Sequence, residues 1–140
     1  MNIDSIKNGY VIDHIKAGMA MEIYRVLGLG RLDCHLAIIK NAVSGKMGKK
    51  DIIKIDEMID LDLDALGYID PGITVNVVKN GEIVDKRHLE LPEKITNVIK
   101  CKNPRCITSC EQELDHVFKL TDKENRVYRC IYCESMAKQR

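Results

Sequence analysis

Cys101-Lys102-Asn103-Pro104-Arg105-Cys106 and, after twenty-three intervening residues, Cys130-Ile131-Tyr132-Cys133 decide how the C-terminal third of this chain folds. Thiolates are soft ligands suited to tetrahedral Zn²⁺, and a set of four leaves no open position for a substrate. Asn103 and Pro104 shape the first loop so that both of its sulfurs can face one point. A region this short and poor in apolar residues is hard to stabilise by burial, whereas metal binding supplies folding free energy directly. The expectation is one structural Zn²⁺ per chain on Cys101, Cys106, Cys130 and Cys133. Other readings stand beside it. Two disulfides are disfavoured in a cytosolic chain, and a redox dithiol at Cys130-x-x-Cys133 lacks a thioredoxin-like βαβ context. Cys110 and His116 are rival ligands that spacing leaves open, and Cys34 reads as a small hydrophobe in a core strand.

Working outward, the 140-residue chain has room for one ordinary domain or two small ones. It is 45% hydrophobic and 31% charged, with only 4% aromatics and no Trp, so its core must be mostly Ile, Leu, Val and Met. A formal net charge of +1 argues against wholesale binding to nucleic acid or to an anionic membrane. No stretch has the apolar length needed to span a bilayer, and Met1-Asn2-Ile3-Asp4 does not begin a signal peptide. The expected location is cytoplasmic.

Leu91-Pro92-Glu93-Lys94 separates two regions of different character, since Pro92 holds Leu91 extended and interrupts a helix or central strand. Residues 99–140 carry nine Lys/Arg against six Asp/Glu, a net of +3, which leaves −2 for the remainder. The expected domains are 1–94 and 95–140. In the first, Tyr10 to Ile15 reads as a strand, and Met19, Ile23, Val26 and Leu27 recur at helical spacing up to Gly28 or Gly30. Cys34 to Ile39 and Asp51 to Ile55 follow as strands across a turn at Ser44-Gly45-Lys46-Met47-Gly48. A short helix over Leu61 to Leu66 precedes the turn at Asp70-Pro71-Gly72. Thr74 to Val78 and Glu82 to Lys86 form a hairpin across Asn80-Gly81. The order βαββαββ gives an α+β class: a ferredoxin-like antiparallel sheet with two helices on one face. The second domain, with short strands at Ile95 to Lys100, Asp115 to Leu120 and Arg126 to Arg129, reads as a small antiparallel zinc-ribbon-like unit.

Asp13-His14 places an acid and an imidazole between apolar residues of a strand, and Lys54 and Lys86 lie in or at the end of β-branched runs. Two strand lysines can clamp a phosphate chain or can simply face solvent. The lysine-rich turn 44–50 lacks the glycine spacing and strand-to-helix setting of a P-loop. No H-E-x-x-H, nucleophile elbow, or kinase or dinucleotide fingerprint is found, and no catalytic residues are expected. A zinc-ribbon nucleic-acid binder using Lys100, Lys102, Arg105, Arg126 and Arg129 is the main rival reading, weakened by the small net charge and the lack of an aromatic platform.

Gly9-Tyr10-Val11-Ile12-Asp13-His14-Ile15, the run Ser44 to Ile55, Thr74-Val75-Asn76 and the run Leu91 to Val98, together with the cysteine pattern, resemble the regulatory chain of aspartate carbamoyltransferase. The likeness runs from about Ile6 to Cys133. It implies an N-terminal allosteric domain binding nucleoside triphosphates, with CTP inhibiting, sometimes jointly with UTP, and ATP activating. It also implies a zinc domain docking on the catalytic chain, homodimers of regulatory chains bridging catalytic trimers, and control of pyrimidine synthesis. Neither nucleic acid nor membrane is an implied partner. Carried over by position, the nucleotide site falls on Asp4, Ile6, Val11, Asp13, His14, Ile52, Lys54, Asn76, Val78, Ile83 and Lys86. In that setting Lys54, Lys86 and His14 supply donors for a triphosphate, and Asp13 an acceptor for ribose hydroxyls. The sequence departs from the family at Gly81, where an aromatic can stand near the base, and among Met1 to Ser5, which hold no counterpart of a nucleotide-contacting lysine.

Overall fold

A computed structural model describes residues 6–45, 48–111 and 113–137. The chain divides into two compact units, 1–90 and 91–140. Unit one contains β1 (Gly9–Lys16), α1 (Ala20–Val26), a 3₁₀ turn (Leu29–Arg31), β2 (Leu36–Ser44), β3 (Gly48–Ile55), α2 (Leu63–Ile69), β4 (Thr74–Lys79) and β5 (Glu82–His88). The strands form one antiparallel sheet in the order β2-β3-β1-β4-β5. The connection through α1 passes over β3, and that through α2 passes over β1. Two interleaved crossovers of the same hand leave both helices on one face, the split βαβ arrangement expected from the element order.

Alternation along the strands separates the faces. Ile12, Ile53, Ile55, Val75 and Val77 point to the helices and pack with Ala20, Ile23 and Leu66 into one buried core. The β4–β5 hairpin closes through Asn80 (φ +53°) and Gly81 (φ +79°), the paired positive φ values of a two-residue turn matched to strand twist. Helix α1 stops where Gly28 turns left-handed at φ +64°.

Some boundaries differ from the sequence-based expectation, each for a local reason. Strand β2 starts at Leu36 rather than Cys34, so Cys34 packs against the core from a loop. Helix α2 starts at Leu63 because Asp62 is its N-cap, its carboxylate accepting from Ala65 N at 3.0 Å. Met19 gives α1 no side-chain cap. The fully buried Asp51 of β3 does so instead, accepting from Gly18 N (2.9 Å) and Ala20 N (3.2 Å). Its other oxygen accepts from Asn41 N at 2.9 Å. Asn41 (φ +58°) sits in a bulge of β2 and His14 (φ +57°) in a bulge of β1, so both neighbours of β3 kink beside Asp51.

Unit two has a three-stranded antiparallel sheet, β6 (Lys94–Thr96), β7 (Val117–Asp122) and β8 (Val127–Cys130), with a one-turn helix α3 (Ile107–Cys110). Ile95, Phe118 and Tyr128 are buried, and the Tyr128 hydroxyl donates to Pro92 O at 2.6 Å. Strand β6 ends at Thr96, short of Lys100, because Asn97 turns left-handed (φ +58°). Among the described residues no helix is long and apolar enough to cross a membrane.

Candidate functional site

Two loops of unit two converge on one point. In the first, Asn103 Oδ1 accepts from Arg105 N (3.0 Å) and Asn103 O from Cys106 N (3.1 Å), a turn that Pro104 pre-sets at its second position. In the second, Glu134 N donates to Cys130 O at 2.9 Å with Glu134 at φ +62°. The Sγ atoms of Cys101, Cys106, Cys130 and Cys133 all lie within 4.8 Å of one another. Contacts run between the loops: Cys101 to Cys133 at 3.5 Å and Cys106 to Cys130 at 3.7 Å. Tetrahedral Zn–S bonds of about 2.3 Å place sulfurs roughly 3.8 Å apart, so the spacing fits the metal. It does not fit disulfides, whose sulfurs lie at about 2.05 Å, and all six cysteines are free thiols.

The protein prepares these thiols unequally. Burial pushes Cys101 up to about 12 and also raises Cys130. A hydrogen bond with the Thr108 hydroxyl holds Cys106 below the usual thiol range, and hydrogen bonds from the Ser135 hydroxyl and backbone lower Cys133 to about 6. A divalent cation among them compensates the charge of all four thiolates. Of the rival ligands, Cys110 is exposed at the end of α3, outside the cluster. His116 is also outside it, its Nδ1 accepting from Cys101 N at 3.1 Å.

In unit one, the sheet face away from the helices gathers the other sequence-derived candidates. Lys54 stands opposite Val11, Val11 opposite Asn76, and Asn76 opposite Lys86, so these four form one row across β3, β1, β4 and β5. Three interstrand steps of about 4.8 Å separate the lysines by roughly 14 Å. Asp13 and Ile52 lie two residues further along the same face, and Val78 opposite Ile83 two residues the other way. The His14 ring reaches this face, with Nδ1 2.8 Å from Thr74 Oγ1. Ile6 is buried where the chain enters β1, beside the hairpin turn, and Lys7 O accepts from Gly81 N at 2.9 Å. Asp4 lies outside the described residues.

Sequence reasoning missed Lys50, whose Nζ lies 3.0 Å from Asp13 Oδ1. The bulge at His14 brings the two strands into that register. Burial acts to raise the Asp13 carboxyl, but the Lys50 and His14 N hydrogen bonds and the nearby positive charge outweigh it and hold the group below its ordinary 3.8. Asn76 is buried in the row, and its Oδ1 has no hydrogen-bond partner among the described residues.

Comparison with known proteins follows the same two-unit division. Residues 1–90 match the family described as aspartate carbamoyltransferase regulatory chain, allosteric domain, and residues 93–140 its metal binding domain. The chain belongs to this family. It is 54% identical over 136 residues to the aspartate carbamoyltransferase regulatory chain of Clostridium botulinum, covering 97% of this chain and 93% of that one. It is 51% identical over 138 residues to the regulatory chain of Clostridium acetobutylicum, covering 99% and 94%. With that of Bifidobacterium longum the identity is 44% over 138 residues, covering 99% of each. As a member of the aspartate carbamoyltransferase regulatory chain family it is a regulatory chain and not a catalytic one. The four thiols of its metal-binding domain are the donor set of a structural Zn²⁺.

Proposed function

We propose that the chain is a non-catalytic allosteric subunit that binds nucleoside triphosphates on the open face of its N-terminal sheet. CTP and ATP are the proposed effectors, with UTP a third. The chain pairs with a second regulatory chain and docks through its zinc domain on the catalytic chain of aspartate carbamoyltransferase in the cytoplasm. It thereby bridges catalytic trimers and controls pyrimidine synthesis. The reading rests chiefly on the row Lys54–Val11–Asn76–Lys86, with a cation at each end and, between them, a buried amide oxygen that finds no donor among the described residues. Lysine ammonium groups suit a phosphate chain, and the His14 ring adds a polar group beside it. The Asp13 carboxylate accepts from ribose hydroxyls. Backbone groups near Ile6 and Val11 read the exocyclic edge that separates a cytosine from an adenine. Asn76 Oδ1, which costs free energy unpaired, gains a donor from the ligand.

Regulation then requires each nucleotide to bind two quaternary states of the complex with different affinity. Zn²⁺ contributes indirectly, by holding the fold of the docking surface. Calorimetry with CTP and ATP on wild type and on Lys86→Ala tests the site. A lost charge-assisted contact worth about 1.5–3 kcal/mol weakens binding roughly tenfold or more. Undiminished binding by the variant counts against the site.

A further inference from the structure

We propose that His116 is a positioning residue of the metal centre, whose imidazole holds the Cys101 limb in place by accepting its backbone N–H. The need for such a device follows from how the ligands are tied down. Cys106 N donates to Asn103 O (3.1 Å) and Cys130 N to Ser135 O (3.0 Å), so both are fixed by backbone partners within their own loops. Cys101 is reached differently. Strand β6 ends at Thr96, and Val98 to Lys100 lie outside any ladder. The Cys101 amide donates instead to a side chain, His116 Nδ1, at 3.1 Å.

The imidazole can serve because its own backbone is clamped. Asn97, at φ +58°, donates from its N to His116 O (2.8 Å), and its Oδ1 accepts from His116 N (2.9 Å). Asn97 Nδ2 donates in turn to Asp115 Oδ1 at 2.9 Å. The left-handed turn that ends β6 is therefore the same feature that grips His116, and His116 returns the contact to the chain four residues later. Acceptance at Nδ1 places the ring proton on Nε2. His116 is not a ligand in this arrangement: its Nδ1 is committed to the amide, and the four thiols already complete a tetrahedral set.

Groups that orient metal ligands typically contribute about 10–100-fold to metal affinity. The test uses the full chain as wild type, His116→Ala and His116→Asn, the last keeping an acceptor oxygen within reach of the Cys101 amide. Zn²⁺ affinity is measured by competition with a chromophoric chelator. Ligand identity is read from the absorption spectrum after Co²⁺ substitution. The proposal expects His116→Ala to lose about tenfold or more in Zn²⁺ affinity, His116→Asn to recover most of it, and all three to keep the four-thiolate Co²⁺ spectrum. Unchanged affinity in His116→Ala overturns it, as does an Asn variant as weak as the Ala variant. A nitrogen-ligand Co²⁺ spectrum in wild type also overturns it, making His116 a ligand. Should the Ala variant not fold, the wild type decides. A through-hydrogen-bond ¹⁵N–¹⁵N coupling between the Cys101 amide and His116 Nδ1 is expected, and its absence refutes the contact.

Discussion

Asp51→Ala removes one carboxylate and leaves three backbone donors, Gly18 N, Ala20 N and Asn41 N, without their acceptor. These bonds start α1, fix the β2 bulge and hold β3 between them. Net hydrogen bonds to a charged acceptor contribute about 1.5–3 kcal/mol each, so three give roughly 4.5–9 kcal/mol. Against this stands the cost of burying the carboxylate, several kcal/mol for a desolvated ion, which the Ala variant no longer incurs. The expected net loss is about 3–5 kcal/mol, at the severe end for a single substitution. Asp51→Asn, keeping the shape and one acceptor oxygen, should fall between the two. Urea unfolding of the zinc-loaded chain, followed by far-ultraviolet circular dichroism, measures it. With a slope of about 1–2 kcal/mol per molar urea, the N-terminal transition should move down by roughly 2 M or more. Hydrogen exchange at the Ala20 and Asn41 amides should accelerate most. A loss under about 1 kcal/mol would refute the assignment of Asp51 as the staple of this sheet.

Three further outcomes follow from the same contacts. Stripping the metal with a mercurial or strong chelator should unfold the β6–β8 sheet while leaving N-terminal amide signals in place, and should release the chain from an assembled complex; assembly surviving full zinc removal contradicts the docking role. Asp13 has a lowered carboxyl pKa, so its contribution is present above 3.8 and lost as pH falls through the lower folded value. A carbon-13 titration of its carboxyl should show the midpoint moving upward in Lys50→Met, and an unmoved midpoint would discount the Lys50 pairing. Asn76→Ala removes a buried oxygen with no partner among the described residues, so it should leave unliganded stability within about 1 kcal/mol of wild type while weakening nucleotide binding roughly tenfold. Equal nucleotide affinity in the two proteins would show that the amide serves packing alone.

Much of this was legible because local and global signals agree. Asn80-Gly81 marks its hairpin through left-handed φ preference, and the four cysteines mark theirs through ligand chemistry. Period-two alternation is enough to separate Ile12 and Val75, which enter the core, from Val11 and Asn76, which do not. What could not be read were features made by register. Asp51 reads as an ordinary strand residue, and only the paired bulges at His14 and Asn41 turn it into a cap for a helix on another element. Lys50 meets Asp13 through that same shift. His116 read as a rival ligand, since spacing cannot tell an imidazole facing a metal from one facing a ligand's amide.

The central claim is that the open face of the N-terminal sheet receives a nucleoside triphosphate. An amide-resolved NMR titration of the full, zinc-loaded chain with CTP tests it most directly. Saturable shifts should centre on Val11, Lys54, Asn76 and Lys86, including the Asn76 side-chain amide, with Ile23 and Leu66 on the sheet-facing side of the helices nearly silent. Shifts confined to the zinc unit or to the acidic segment Asp56 to Asp62 ahead of α2, or none at millimolar CTP, would contradict it.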